Sequence, residues 1–376
     1  MSTIAVNTIT DASGGNTASI NGATPTTDNT MGRNRVVNGS MEIAQRGTSA
    51  VTASGSFPVD RFVIFNVTDG AFSAQQDSSA PAGFVNSLKV TTTTADATLT
   101  SNQQINLQQR IEGFNVADLG WGTANAKTVT LSFWVRSSLT GSFGGSLRNG
   151  ASDRSYPFTY SISVADTWEY KTVTIAGDTS GTWLTTTGIG LHVHFGLGVG
   201  PTFSGTAGSW AATNYVSATG AVSVIGTLNA TWYITGVQLE AGSVATSFER
   251  RSYGQELALC QRYYYRIKPD VAYGCIAEIA HATATTNARA RVVFPVTMRT
   301  RPTALEQSGT AGDYDVQLGS GVAVCSAVPT ISTGTVTTTQ VAVVDFPVAS
   351  GLTIGQAGNI RTPSPGNGYL GWSAEL

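Results

Sequence analysis

Charge is scarce in this sequence. Only 12% of its 376 residues are Asp, Glu, Lys or Arg, against about 25% in ordinary soluble domains. The 21 basic and 23 acidic residues leave a formal net charge of −2, so there is no basic footprint to favour nucleic acid or an anionic membrane. Cysteine is equally sparse. Cys260, Cys275 and Cys325 are odd in number and lack metal-ligand spacing, which reads as small buried side chains in a chain made in a reducing compartment. No stretch stays apolar for the ~18 residues of a membrane helix, so no membrane insertion is expected. The opening MSTIAVNTITDASGG has neither the basic flank nor the apolar run of a signal peptide.

What is abundant is Gly, Thr and Ser between short apolar runs. From about residue 35 to 250 the chain reads as strand after strand, including "PVDRFVIFNV", "NLQQRIEGF", "TLSFWVRS", "GIGLHVHFGLG" and "ATWYITGVQLEAG". In "TLSFWVRS", Leu131, Phe133 and Val135 fall on one face and Ser132, Trp134 and Arg136 on the other, the alternation of a strand packed on one side. Many short strands without interleaved helices predict an all-β fold, a jelly-roll-like antiparallel β-sandwich. Strands resume after about residue 271 and predict a second, smaller C-terminal β-sandwich. The length suits two folded domains. The expected organisation is an arm over 1–34, the first sandwich over 35–251, a linking helix over 252–268 and a distal β-domain over 269–376. Residues 1–30 cannot bury a core alone and form either a docking arm or a disordered terminus.

One helix is expected, over about 253–267. Ser252 and Gln255 have capping-box spacing, and Pro269 stops the helix from running on. Tyr253, Leu257, Cys260, Tyr264 and Ile267 recur at steps of four, three, four and three. Such a seam either packs on the neighbouring sandwich or lies on an oligomer axis.

Catalytic and metal-binding patterns are thin. His192 and His194 in "LHVHF" share a strand face, a beginning for a metal site that lacks a visible third ligand. No G-x-S-x-G, H-E-x-x-H or P-loop string occurs. A glycosidase needs paired carboxylates, and Glu112, Glu169, Glu240 and Glu249 qualify by position only; each sits beside a basic residue or a turn. No catalysis and no cofactor is expected. Aromatic side chains are better candidates, because sugars present apolar faces to flat rings. Trp183 in "TSGTWLTT", and Trp210 with Tyr215 in "TAGSWAATNY", lie in small polar contexts. There they either contact a glycan or staple loops across the sandwich end. Trp372 and Tyr369 on the last strand face opposite ways, so at most one can be a surface contact.

Several strings together resemble one family. "RNRVVNGSMEIAQRG", "QQRIEG", "TLSFWVRSS", "WEYKTVTIAGDTSGTW" and "ITGVQLEAGSVATSFERRSYGQELALCQRYY" are similar to the carbohydrate-binding-module-like sandwich of bacteriophage tail fibres and related virion appendages, of marine and cyanobacterial phages above all. The likeness covers about 33–267. It implies a homotrimeric virion structural protein whose N-terminal arm binds other virion proteins and whose distal parts meet host-surface polysaccharide. Two other expectations are weighed beside it: a purely structural or decoration element without glycan affinity, and a polysaccharide depolymerase, which the lack of a long repeat argues against.

Overall fold

The computed structural model describes residues 32–319, 321–333 and 337–376. The chain divides into two compact units, Met1–Arg251 and Ser252–Leu376. The body of the expected N-terminal arm, residues 1–31, lies outside the described residues.

The first unit runs through β1 (Ser56–Val59), β2 (Phe62–Asn66), β3 (Ala71–Asp77), β4 (Ser87–Thr94) and β5 (Gln104–Glu112). It continues with β6 (Val129–Ser137), β7 (Gly141–Arg148), β8 (Ser155–Ile162), β9 (Glu169–Ile175) and β10 (Ile189–Val199). The short β11 (Ser204–Gly205) and β12 (Ser217–Ala218) precede the last strand, β13 (Thr231–Ala241). Six strands form one antiparallel sheet in the order β1-β2-β5-β10-β7-β8, and five form another in the order β3-β4-β13-β6-β9. Successive strands repeatedly cross between the sheets, as a jelly-roll-like sandwich requires.

The alternation along the strands explains the stacking. In β6, Leu131, Phe133 and Val135 are fully buried, and the Phe133 ring meets Phe195 of the opposite sheet at 5.1 Å and Tyr160 at 5.0 Å. Trp232 lies 5.8 Å from Phe195. Rings of both sheets therefore share one core, with edge-to-face pairs that add to area burial.

A strap just before β1 seals the sandwich. The Asn34 side-chain amide donates to the Val237 carbonyl at 3.1 Å, while its oxygen accepts from the amides of Val36 and Leu239. Gly39 passes so close that an added Cβ would lie 2.1 Å from the Val237 oxygen; only glycine fits there. Glu249 accepts from the amides of Gly32 and Asn34, both at 2.7 Å. The string "RNRVVNGSMEIAQRG" and the end of "ITGVQLEAGSVATSFERR" thus belong to one packing device, although about two hundred residues separate them.

In the second unit the capping box of Ser252 and Gln255 starts α1 (Tyr253–Gln261), but the helix is shorter than expected. Residues Tyr264–Ile267 form strand β14 instead. The unit continues through β15 (Gly274–Ala284), β16 (Asn287–Val293), β17 (Leu305–Gln307), β18 (Asp315–Leu318), β19 (Gly321–Val324) and β20 (Thr330–Ile331). It ends with β21 (Val341–Pro347), β22 (Ala357–Thr362) and β23 (Leu370–Ser373). Sheets of order β14-β23-β17 and β19-β18-β22-β15-β16-β21-β20 enclose a core that includes Phe346, Ile360, Leu370 and Trp372.

The seam is corrected with the helix. Tyr253 is 61% exposed, whereas Cys260 and Tyr264 are fully buried, and the Tyr264 hydroxyl donates to Glu306 at 2.7 Å. The five residues are therefore divided between a helix and a strand and do not form one helical stripe. The cysteines need one correction as well: Cys260 and Cys325 are buried, but Cys275 is exposed, and none is in a disulfide.

Candidate functional site

The outer face of the six-stranded sheet is unusually polar. Register places His192 of β10 opposite Arg110 of β5 and Arg148 of β7, with His194 opposite Gln108 and Ser146. Because side chains alternate, Leu191, Val193, Phe195 and Leu197 fill the core while these polar groups stand on the other face. The loop between β10 and β13 closes over part of that face. Ser217 sits where Cβ atoms on Gly144 and Gly196 would be, at 2.3 and 2.5 Å, so the two glycines admit the loop. Asn106 and His194 are fully buried and His192 is 4% exposed, while Arg110, Arg148 and Asn214 are half-buried. The cluster opens to solvent at its arginine end.

Its hydrogen bonds define the tautomers. Asn106 donates to Gln104 at 2.9 Å, leaving its oxygen to accept from Nδ1 of His194 at 3.1 Å. His194 therefore carries its proton on Nδ1, and its Nε2 is a buried acceptor without a partner. Arg148 approaches Nε2 of His192 at 3.4 Å, so that nitrogen accepts and Nδ1 carries the proton, again without a partner. The two rings stack at 5.2 Å. The pair thus holds one unpartnered donor and one unpartnered acceptor, both enclosed by protein.

Arg148 differs from its peers. Arg154 forks onto Asp178 with two bonds of 2.7 Å, and Arg289 and Arg361 also meet carboxylates. Arg148 instead donates to Asn214 at 2.5 Å and contacts His192, and no carboxylate among the described residues pairs with it. Burial first, and the like charge of Arg110 second, push its pKa down to about 10. It remains a cation at neutral pH. Burial, then Arg148 and neighbouring charges, hold both imidazoles well below their ordinary pKa. A metal ion does not suit this pair: guanidinium charge flanks it, and among the described residues no cluster of three metal-ligating side chains occurs.

The aromatic candidates have other positions. Trp121, Trp183 and Trp210 meet edge to face, with centroids 4.7 to 5.5 Å apart. Their indole N–H groups donate to the carbonyls of Lys127, Ser180 and Ala176 respectively, which is the loop-staple arrangement. Trp210 also packs on Tyr156 at 5.3 Å, so the cluster reaches the loop that presents Asn214 to Arg148. Tyr215 lies flat against Gly205, where a Cβ would come within 2.3 Å of the ring. Trp372 is corrected: it is fully buried between Tyr265 at 6.0 Å and Phe294 at 5.5 Å. Strand β23 is the middle strand of its sheet, and its alternation turns that ring inward.

The carboxylates proposed as catalytic candidates serve local structure. Glu240 accepts from Thr246 twice, at 2.8 and 2.6 Å, and Glu169 accepts from the amides of Ser163 and Val164 and pairs with Lys171. Glu249 holds the strap, and Glu112 is buried at the end of β5.

No protein-family model and no curated protein matches the sequence. Solved structures similar to it include a CBM4 structure, at 15% identity and a TM-score of 0.31, with 55% of this chain and 99% of that chain covered. Another is the family 11 carbohydrate-binding module of a Clostridium thermocellum cellulosomal cellulase, at 14% identity and a TM-score of 0.26, covering 52% and 96%. A third is the enzymatically active domain of bacteriophage CBA120 tailspike protein 4, at 13% identity and a TM-score of 0.28, covering 56% of this chain and 21% of that one. Likenesses of this size establish neither a family nor a ligand. The all-β, jelly-roll-like sandwich stands on the strands and core of this chain itself.

Proposed function

We propose that the chain is a carbohydrate-binding appendage protein of a bacteriophage virion that adsorbs reversibly to host-surface polysaccharide through the arginine end of the six-stranded sheet. One observation carries the binding reading. Arg148 is half-buried beside Arg110 and the imidazole pair, and no carboxylate among the described residues pairs with it. An acidic sugar at the half-buried guanidinium end would relieve the like-charge strain between Arg148 and Arg110. The reading assigns binding and no chemical step.

The virion role, the docking of the N-terminal arm and the homotrimer rest on the sequence resemblance, because the seam expected to join three chains is divided between a helix and a strand. The purely structural alternative also has an observation in its favour. Asn34, Glu240 and Glu249, which belong to the strings that carry the resemblance, are occupied in packing, so those strings speak for a scaffold. Calorimetric titration of the full chain with acidic host polysaccharide separates the two. Binding that falls at least tenfold in R148Q supports the cleft; titration heats that stay flat for the wild type favour the structural reading. A light-scattering mass of three chains tests the trimer.

A further inference from the structure

The opposite face of the sandwich carries a groove of a different kind. On the outer side of the five-stranded sheet, Trp134 of β6 and Tyr170 of β9 are direct register partners, with ring centroids 5.4 Å apart and planes inclined at 49°. Tyr170 is 43% exposed and Trp134 is half-buried. They form one side of a groove of ≈ 620 Å³ whose other side holds Phe84, Phe248 and Arg250, with Ser247 at its edge. That volume lies in the ~300–1,000 Å³ range of small-ligand sites.

Its walls are fixed. Phe84 meets Phe248 edge-on at 5.2 Å, and the Arg250 guanidinium lies 4.7 Å over Phe84 while it donates to the Gly83 carbonyl. The floor depends on a glycine. β13 bulges between Thr235 and Gln238, and Gly236 there has φ of +63°. A Cβ at that position would stand 2.7 Å from Phe84 and 3.2 Å from Trp134. The bulge and the glycine let Phe84 and Trp134 both pack down over the backbone at this point, which makes Gly236 the floor between them.

We propose that this groove is a second carbohydrate site, separate from the Arg148 cleft, which takes a neutral pyranose chain by stacking a sugar face on Tyr170 and Trp134. Four aromatic rings supply the apolar surface, and hydroxyls and a guanidinium supply hydrogen bonds at the edge. Among the described residues no carboxylate lines the groove, so cationic ligands find no counter-charge there. A purely apolar occupant would leave the Ser247 hydroxyl and the outer guanidinium edge without partners, whereas sugar hydroxyls satisfy such groups. The rigid platform costs little ordering on binding.

The full chain titrated with neutral linear trisaccharides, β-1,4-glucotriose and β-1,4-galactotriose among them, provides the test, with tryptophan fluorescence and saturation-transfer NMR as readouts. Tyr170→Ala should weaken binding by on the order of tenfold, and Tyr170→Phe, which keeps the ring, should stay within about twofold. R148Q should bind the trisaccharides as the wild type does, so failure of one site is distinguishable from failure of the other. A panel with no binder, or unchanged affinity in Tyr170→Ala with the far-ultraviolet dichroism intact, overturns the proposal.

Discussion

The two outer faces of one sandwich solve opposite problems. On the six-stranded sheet, charged and hydrogen-bonding groups are drawn inward beneath a loop, and Arg148 is left beside Arg110 without a carboxylate. On the five-stranded sheet, Trp134 and Tyr170 stand on the outer face, and a bulged glycine lets Phe84 and Trp134 pack over the backbone. Both faces hang on the same core strands, since β6 carries Phe133 inward and Trp134 outward, and β10 carries Phe195 inward and His194 outward. The contrast teaches that the core fixes where a side chain stands, while covering loops and bulges decide whether it meets water, protein or ligand.

The largest effect comes from attacking what the faces share. Phe133→Ala removes a fully buried ring that touches the opposite sheet, and should cost about 3–5 kcal/mol. Six of the seven tryptophans lie in the first unit, so the urea midpoint followed by tryptophan fluorescence reads this loss directly. Both ligand activities should fail together at urea concentrations the wild type tolerates.

Acid should separate the faces. His192 and His194 are held below their ordinary pKa of 6.5 by burial and by Arg148, so the unfolded chain takes up their protons more readily than the folded one. The stability they contribute is therefore complete above the unfolded pKa and declines as pH falls through about 6.5, by at most ~1.4 kcal/mol per pH unit for each ring. Thermal melts from pH 8 to pH 5 should show the slope, and His194→Gln should reduce it. Tyr170→Ala, on the other face, should leave the slope as it is.

The smallest effect is the most diagnostic. Arg148→Met removes a half-buried, unneutralised charge and keeps much of the side-chain volume, so stability should stay within about 1 kcal/mol of wild type or rise. Affinity for acidic polysaccharide should fall even so. A loss of several kcal/mol in urea denaturation would make Arg148 a structural residue and remove the reason to regard its surroundings as a binding site.

Local pattern made much of this legible in advance. Period-two alternation placed Leu131, Phe133 and Val135 inward and Trp134 outward, and the spacing of Ser252 and Gln255 marked the start of α1. The same local reasoning ran the helix too far. Tyr264 to Ile267 continue a three-four spacing, yet they pair with Leu370 to Ser373, a partner about a hundred residues away that no local spacing reveals. The histidine pair was visible as a motif and Arg110 lay in the quoted string "QQRIEG", but neither arginine was singled out, because only strand register brings Arg110 and Arg148 to the pair. Trp210 and Tyr215 were visible too, as rings in polar loops; their packing on Trp121, Tyr156 and Gly205 was not.

By itself, the sequence determined the β-rich class and the facing of individual strands, because these follow from side-chain alternation and turn chemistry within a few residues. Only the tertiary structure decided that Arg148 reaches His192 without a carboxylate, that Trp372 is core, and that Phe84 and Trp134 close over Gly236 beside Tyr170. Each of these depends on the register between distant strands, and register is set by the collective packing of the sheets.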